Sequence, residues 1–225
     1  MKNWEIQLLT EAFWNKERQR SVDGNSWWFP DFEHRFDKES SAILYSIIRL
    51  FQPVRALEIG SSRGGSTCII MQALQKNGKQ FEFQSSEIAD DLRQQAYDNC
   101  MKVCGEAPKM LGDITKSSER LSPGIDFLMV DTDHDLSTTT WILDNVFPHL
   151  VSGALVVFHD WAVEEKDGKL IGKGSDGAGG WDETNHLMDL IRNNQWPFEK
   201  LYWTWKNSAW PNMSPTCETA FWRKT

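Results

Sequence analysis

Two short clusters of carboxylates and imidazoles carry the clearest chemistry in the chain. Asp131-Thr132-Asp133-His134-Asp135 follows directly on the apolar run IDFLMV, and His159-Asp160-Trp161 follows directly on ALVVF. Carboxylate oxygens joined by one or two imidazoles suit a hard divalent cation such as Mg²⁺ or Mn²⁺. Without a metal, the same residues supply a general base, His159 or His134, oriented by a neighbouring carboxylate. A structural role competes at one end of the first cluster, since Asp135 or Ser137 is a suitable N-cap for the helix that follows. Capping is therefore assigned to Asp135 or Ser137, and chemistry to Asp131, Asp133, His159 and Asp160.

A second constellation lies nearer the N-terminus. Glu58-Ile59-Gly60-Ser61-Ser62-Arg63-Gly64-Gly65-Ser66-Thr67 takes an apolar run through a turn of small residues into a helix. Small residues let a ligand approach the backbone closely, and a helix N-terminus follows. The dinucleotide fingerprint G-x-G-x-x-G is not met, because Ser62 stands where its second glycine belongs, and there is no phosphate-loop Gly-Lys-Ser/Thr. What stands is E-x-G-x-x-x-G. An acid two residues before the first glycine does not suit a phosphate. It suits a cationic ligand, or a ligand amine held through water; a tight turn with no ligand is the alternative. Glu87 follows the next strand, 23 residues beyond Gly64. A carboxylate there can accept from both hydroxyls of a ribose. Asp113, after Gly112, suits the exocyclic amine of an adenine or, more plainly, a turn.

These residues need elements that deliver them to one edge. Short apolar runs alternate with helical patterns from residue 37 to residue 160. Strands are expected at 54–59, 81–86, 109–111, 125–130 and 154–158, and helices at 37–50, 64–75, 89–103 and 138–150. Such alternation argues an α/β fold with a mostly parallel sheet and helices on both faces. In it the carboxyl ends of the strands share the edge where ligands sit. Residues 1–36 read as an aromatic, poorly periodic N-terminal arm, followed by a single domain over 37–225. Residues 162–180 are polar and glycine-rich and read as a mobile loop or lid beside the second cluster. A helix at 181–194 and two final strands, 198–205 and 219–223, forming an antiparallel hairpin at the sheet edge, complete the pattern.

Composition narrows the function. The net charge is −8 over 225 residues, with no basic block to meet a phosphate backbone. No apolar run is long enough to span a bilayer, and the N-terminus lacks the uninterrupted apolar stretch of a signal peptide. A cytoplasmic protein acting on neither nucleic acid nor membranes is expected. The four cysteines read as reduced, partly buried thiols, with Cys100 and Cys104 one helical turn apart. His34, His149 and His186 have no supporting context. There are 12 tryptophans; those of the C-terminal stretch, with Trp27 and Trp28, either form an aromatic core or wall a binding site for a sugar face or planar phenol.

LEIGSSRGGST, SSEI, GDI, DFLMVDTDHD and SGALVVFHDW together resemble the class I S-adenosylmethionine-dependent methyltransferases, over roughly residues 38–160. The pattern is most similar to small-molecule O-methyltransferases, in the branch of macrocin-type sugar methyltransferases and cephalosporin-hydroxylase-like proteins. The resemblance implies a Rossmann-like methyltransferase fold with a seven-stranded sheet whose last strand is antiparallel. It implies S-adenosylmethionine as cofactor. Glu58, Gly60, Ser61, Ser62, Gly64 and Ser66 would form the turn around its methionine part, Glu87 with Ile88 would hold the ribose, and Asp113 would face the adenine. Asp131 would border the cofactor. In metal-dependent members an Asp and an Asp-Asp or Asp-Asn pair bind Mg²⁺. Asp131 matches the first, and His159-Asp160 stands in place of the pair. Asp131, His159 and Asp160 are thus the implied metal ligands and catalytic residues, with His159 as base if no metal is used. The implied reaction is methyl transfer to a hydroxyl of a sugar or phenol; a non-catalytic or hydroxylase-like protein that binds S-adenosylmethionine is the alternative. The N-terminal arm is compatible with exchange across a homodimer.

Overall fold

The computed structural model describes residues 38–116, 118–166, 169–172, 182–206 and 216–225. The expected arm at 1–36, with Trp27 and Trp28, and residues 173–180 of the expected loop lie outside the described residues. The chain divides into two compact units, with the division after Arg120.

In the first unit, helix α1 (Lys38–Phe51) buries Ile43, Leu44, Ile47 and Ile48, the face that their spacing marks out. Strand β1 (Arg55–Ile59) leads through the glycine turn into helix α2 (Gly65–Asn77). Strand β2 (Glu82–Ser86), helix α3 (Asp90–Cys104) and strand β3 (Lys109–Leu111) follow. β2 pairs in parallel with β1 on one side and β3 on the other. After its first residue β1 is buried throughout, as is β2, so side chains of both pleat faces are covered. That burial is typical of a parallel sheet clad by helices. Arg49 Nη1 donates to Asn77 Oδ1 at 2.7 Å, joining the ends of α1 and α2.

In the second unit, strand β4 (Ile125–Val130) precedes helix α4 (Leu136–Asn145). The helix starts two residues before the expected 138. Asp135 caps it, accepting from the Thr138 N–H at 2.8 Å, so the capping assignment holds. It also ends early, passing into a 3₁₀ turn at Phe147–His149, where Pro148 has no N–H to continue an α-helical ladder. Strand β5 (Leu150–Lys166) pairs in parallel with β4. It runs well past the expected end at 158. Its far end pairs antiparallel with strand β6 (Lys169–Gly172). Residues 162–166 and 169–172 are therefore hairpin strands rather than part of a loop. Helix α5 (Asp182–Arg192), strand β7 (Phe198–Lys206) and strand β8 (Thr216–Lys224) complete the unit. β7 and β8 form the expected antiparallel hairpin, but β8 lies inside, between β5 and β7, with both pairings antiparallel.

Trp196 packs on Phe198, Trp222 and Phe147, with ring centroids 4.9, 5.5 and 5.9 Å away. Trp222 is buried. The packing of these two rings is what the aromatic-core reading expects.

Candidate active site

The turn after β1 is organised by a buried carboxylate. Glu58 is fully buried, and its oxygens accept from the hydroxyls of Ser66 (2.6 Å), Thr67 (2.6 Å) and Ser85 (2.7 Å). An ion removed from water needs such charge-assisted bonds to offset its desolvation. Ser66 and Thr67 belong to the first turn of α2, and Ser85 stands opposite Glu58 in the β1–β2 register. Glu58 thus ties the helix start to both strands and places a negative charge beneath the turn.

The turn itself is fastened to the end of β2. The N–H groups of Gly60 and Ser61 donate to the Ser86 carbonyl at 2.9 and 3.1 Å. Ser62, at φ 47°, donates its N–H to Glu87 Oε2 at 2.8 Å. Glu87 Oε1 accepts from the Ala89 N–H at 3.1 Å. Each carboxylate oxygen retains a lone pair for a second donor, so Glu87 can still receive ribose hydroxyls. Gly64 has φ 88°, and a Cβ there would meet the Ala96 Cα at 2.8 Å. A left-handed backbone and a passing helix both demand glycine at this position. Ser61 Oγ is buried without a hydrogen-bond partner among the described residues. A buried hydroxyl normally has one, and a ligand in the turn would provide it. Ile88 is 72% exposed, an apolar surface directly after Glu87 that suits the face of a heterocycle.

Asp113 is engaged locally. Its Oδ1 accepts from the N–H and hydroxyl of Thr115 (3.0 and 2.7 Å), and its Oδ2 pairs with Lys116 at 2.9 Å. The Thr115 bonds, then Lys116, hold its carboxyl below the usual range. The turn-forming role is what the geometry shows. Arg93, which the spacing of motifs did not single out, reaches the same edge. Its Nη1 donates to the Glu87 carbonyl at 3.1 Å and lies 3.3 Å from where a Cβ on Gly112 would be. It also pairs with Asp90. Ser85 stands in the SSEI motif but its role as a partner of Glu58 is not read there; its signal is a small polar residue in a buried strand next to one bearing an acid.

In the second unit, Asp131 follows β4 and His159 lies within β5. His159 is buried, and its Nδ1 is 3.3 Å from Asp131 Oδ1. Asp133 is exposed, and His134 takes a left-handed backbone at φ 60°. Asp135 is held well below the usual carboxyl range by Ser137, the Thr138 N–H and Asp133. The Asp160 side chain lies outside the described residues. Among the described residues no three His, Cys, Asp or Glu side chains are arranged to hold a metal ion. The described donors at this place are a carboxylate and an imidazole in contact with each other.

Residues 57–161 match a family model described as a methyltransferase domain. No curated protein matches the chain by sequence. Among solved structures, the O-methyltransferase of Bacillus cereus in complex with S-adenosylhomocysteine has a TM-score of 0.62 at 12% identity, over 95% of this chain and 91% of that one. The fold is that of a Rossmann-like methyltransferase. TomG of Streptomyces achromogenes, an O-methyltransferase of tomaymycin synthesis in complex with S-adenosylmethionine, has a TM-score of 0.60 at 18% identity, over 94% and 89%. A Podospora anserina methyltransferase bound to S-adenosylhomocysteine has a TM-score of 0.58 at 14% identity, over 96% and 88%. This methyltransferase fold is the one whose parallel first strands and antiparallel last strands are described above, with β6 as an addition to the expected seven. Among the described residues no helix is long and apolar enough to cross a membrane.

Proposed function

We propose that this chain is an S-adenosylmethionine-dependent methyltransferase acting on a hydroxyl of a small molecule, a sugar or a phenol. The observation that carries the reading is the 2.8 Å bond from the Ser62 N–H to Glu87. It joins the turn after β1 and the acid after β2 into one cradle. Gly60, Ser61, Ser62 and Gly64 present backbone and a buried hydroxyl to the amino-acid part of the cofactor, while Ser66 acts through Glu58. The negative charge of Glu58 beneath the turn favours a cationic ligand. Glu87 takes the ribose and Ile88 covers the adenine, with Asp113 shaping the loop beside it. When bound, the cofactor supplies a methyl carbon already activated by a cationic sulfur.

The acceptor must lose a proton as its oxygen attacks. His159 takes it. The Asp131 carboxylate, 3.3 Å from Nδ1, stabilises the imidazolium that forms when the ring accepts the proton. Asp131 is a positioning residue in this scheme. Metal assistance through Asp131, His159 and Asp160 is the second reading, and the branch of macrocin-type sugar methyltransferases is where its residue pattern points. The protein is proposed to work in the cytoplasm, as a homodimer or higher homo-oligomer.

Calorimetric titration with S-adenosylmethionine and S-adenosylhomocysteine, with and without Mg²⁺ and with NAD as control, tests the cofactor. Micromolar binding of the first two and none of NAD supports the reading. Absence of binding under every condition overturns it. An acceptor screen with and without chelator then separates the two routes for the proton.

A further inference from the structure

Cys68, Cys100 and Cys104 come together between α2 and α3. Cys68 and Cys100 are buried, and their sulfurs are 3.4 Å apart. Cys104 is half-buried, with its sulfur 3.7 Å from the Cys68 carbonyl. The position is specific. Cys68 lies one helical turn after Gly64, and Cys100 one turn after Ala96. The sulfur pair therefore stands directly behind the contact in which Ala96 abuts Gly64. Cys68 also follows Ser66 and Thr67, the two hydroxyls of α2 that hold Glu58.

We propose that these three cysteines form a thiol oxidation site, at which a hydroperoxide is reduced and a Cys68–Cys100 disulfide ties α2 to α3 behind the glycine turn. Cys104, the least buried of the three, reacts first. Its thiolate attacks the peroxide, the O–O bond breaks, and the leaving oxygen takes a proton to depart as water or alcohol. The Cys68 sulfur then attacks the Cys104 sulfenic acid, forming an S–S bond and releasing water. Cys100 attacks Cys68 in turn and expels Cys104, which regains a proton. In sum two thiols lose two electrons and the peroxide gains them.

Hydrogen bonding within the cluster supports this order. Contacts from Cys100 and Cys68 hold the Cys104 thiol well below its ordinary range, which enriches the nucleophilic thiolate. Cys100 is pushed up by its bonds to Cys104 and Cys68 and by burial. For Cys68 the contact with Cys100 pulls downward, but Cys104, burial and the Glu58 charge outweigh it. Closing the bond draws the two sulfurs together by about 1.4 Å, toward a disulfide length of about 2 Å. That strain falls on the turn that binds cofactor, a consequence that rests on the function proposed above.

The test is peroxide treatment of the whole protein, followed by denaturing alkylation and mass spectrometry. The expected result is two alkyl groups fewer than in untreated protein, restored when dithiothreitol precedes alkylation, with a cross-linked peptide joining Cys68 to Cys100. C100A and C68S each abolish that peptide. C104S forms it at least about 10-fold more slowly. Full alkylation of Cys68 and Cys100 after peroxide, or a cross-link only through Cys217, overturns the proposal. Calorimetry before and after oxidation reads the coupling, with cofactor affinity expected to fall at least about 10-fold and to recover on reduction. Unchanged affinity in cross-linked protein overturns the coupling. Reduced protein that binds no cofactor overturns the methyltransferase reading instead and leaves the disulfide result standing.

Discussion

Ala96 and Gly64 are in contact through their backbones. A Cβ on Gly64 would lie 2.8 Å from the Ala96 Cα and 3.1 Å from its carbonyl oxygen, atoms that cannot swing aside as a side-chain end can. The close approach lets α3 press on the turn and gives the loop one conformation. Gly64→Ala therefore combines a left-handed backbone with overpacking. It is expected to lower stability by about 2–4 kcal/mol in urea unfolding. A variant within about 0.5 kcal/mol of the parent would show that α3 yields freely, and would remove the rigidity argument for the turn.

Ser85→Ala withdraws one of the hydroxyls on Glu58 while leaving Ser66 and Thr67 in place. A buried carboxylate that loses a donor is expected to cost about 1–3 kcal/mol. Glu58→Gln should cost at least as much, because the amide offers N–H groups to hydroxyls that now donate. Chemical denaturation of both variants checks the order.

Asp135→Ala removes the cap of α4 and should cost about 1 kcal/mol near neutral pH. The dependence on pH has a definite sign. The folded state lowers the Asp135 pKa, so the stabilisation is complete above the ordinary Asp value of about 3.9 and is lost as pH falls through the lower folded value. Stability curves of parent and variant should converge below about pH 4. A gap that stays constant down to acid unfolding would mean that the carboxylate charge contributes nothing.

His159→Gln is expected to reduce turnover by about 10²- to 10⁴-fold with cofactor affinity unchanged. The cradle and the imidazole belong to different units, so binding and proton transfer should separate cleanly. Asp131→Asn should lower kcat less and alter its pH profile, because the ring loses the partner that orients it. Full turnover by Asp131→Ala and Asp160→Ala, both folded, would dismiss this site altogether.

Chelation separates the two routes for the acceptor proton. With the Asp131–His159 pair as base, EDTA is expected to leave turnover within about twofold. Loss of activity restored by Mg²⁺ would assign the role to a metal instead.

Much of the first unit was legible because its signals are local. The apolar face of α1, the small-residue turn, and the acid after β2 each depend on neighbours in sequence. The Asp135 cap was legible for the same reason. Ser85 was not, since its role comes from cross-strand register. Arg93 reaches Glu87 and Gly112 only because α3 folds back over the strand ends. Asp113 satisfies its own turn, which spacing alone cannot distinguish from a ligand-binding role. The length of β5 was hidden because Val163–Lys166 is polar and pairs with β6, a short strand that follows two residues later. Pairing of that kind satisfies backbone groups without an apolar pattern to announce it.

The placement of β8 has a consequence for how the second unit comes into being. His159 is paired in register with Thr219, and β7 joins the sheet through β8. The strand that flanks the imidazole is thus separated from it by about 60 residues of chain, and loop closure over such a distance slows folding. While a ribosome is still making residues 216–224, β5 presents a bare edge and His159 has no finished wall. Assembly of the Asp131–His159 pair should therefore lag behind the locally wired glycine turn, and slow refolding phases should track the second unit.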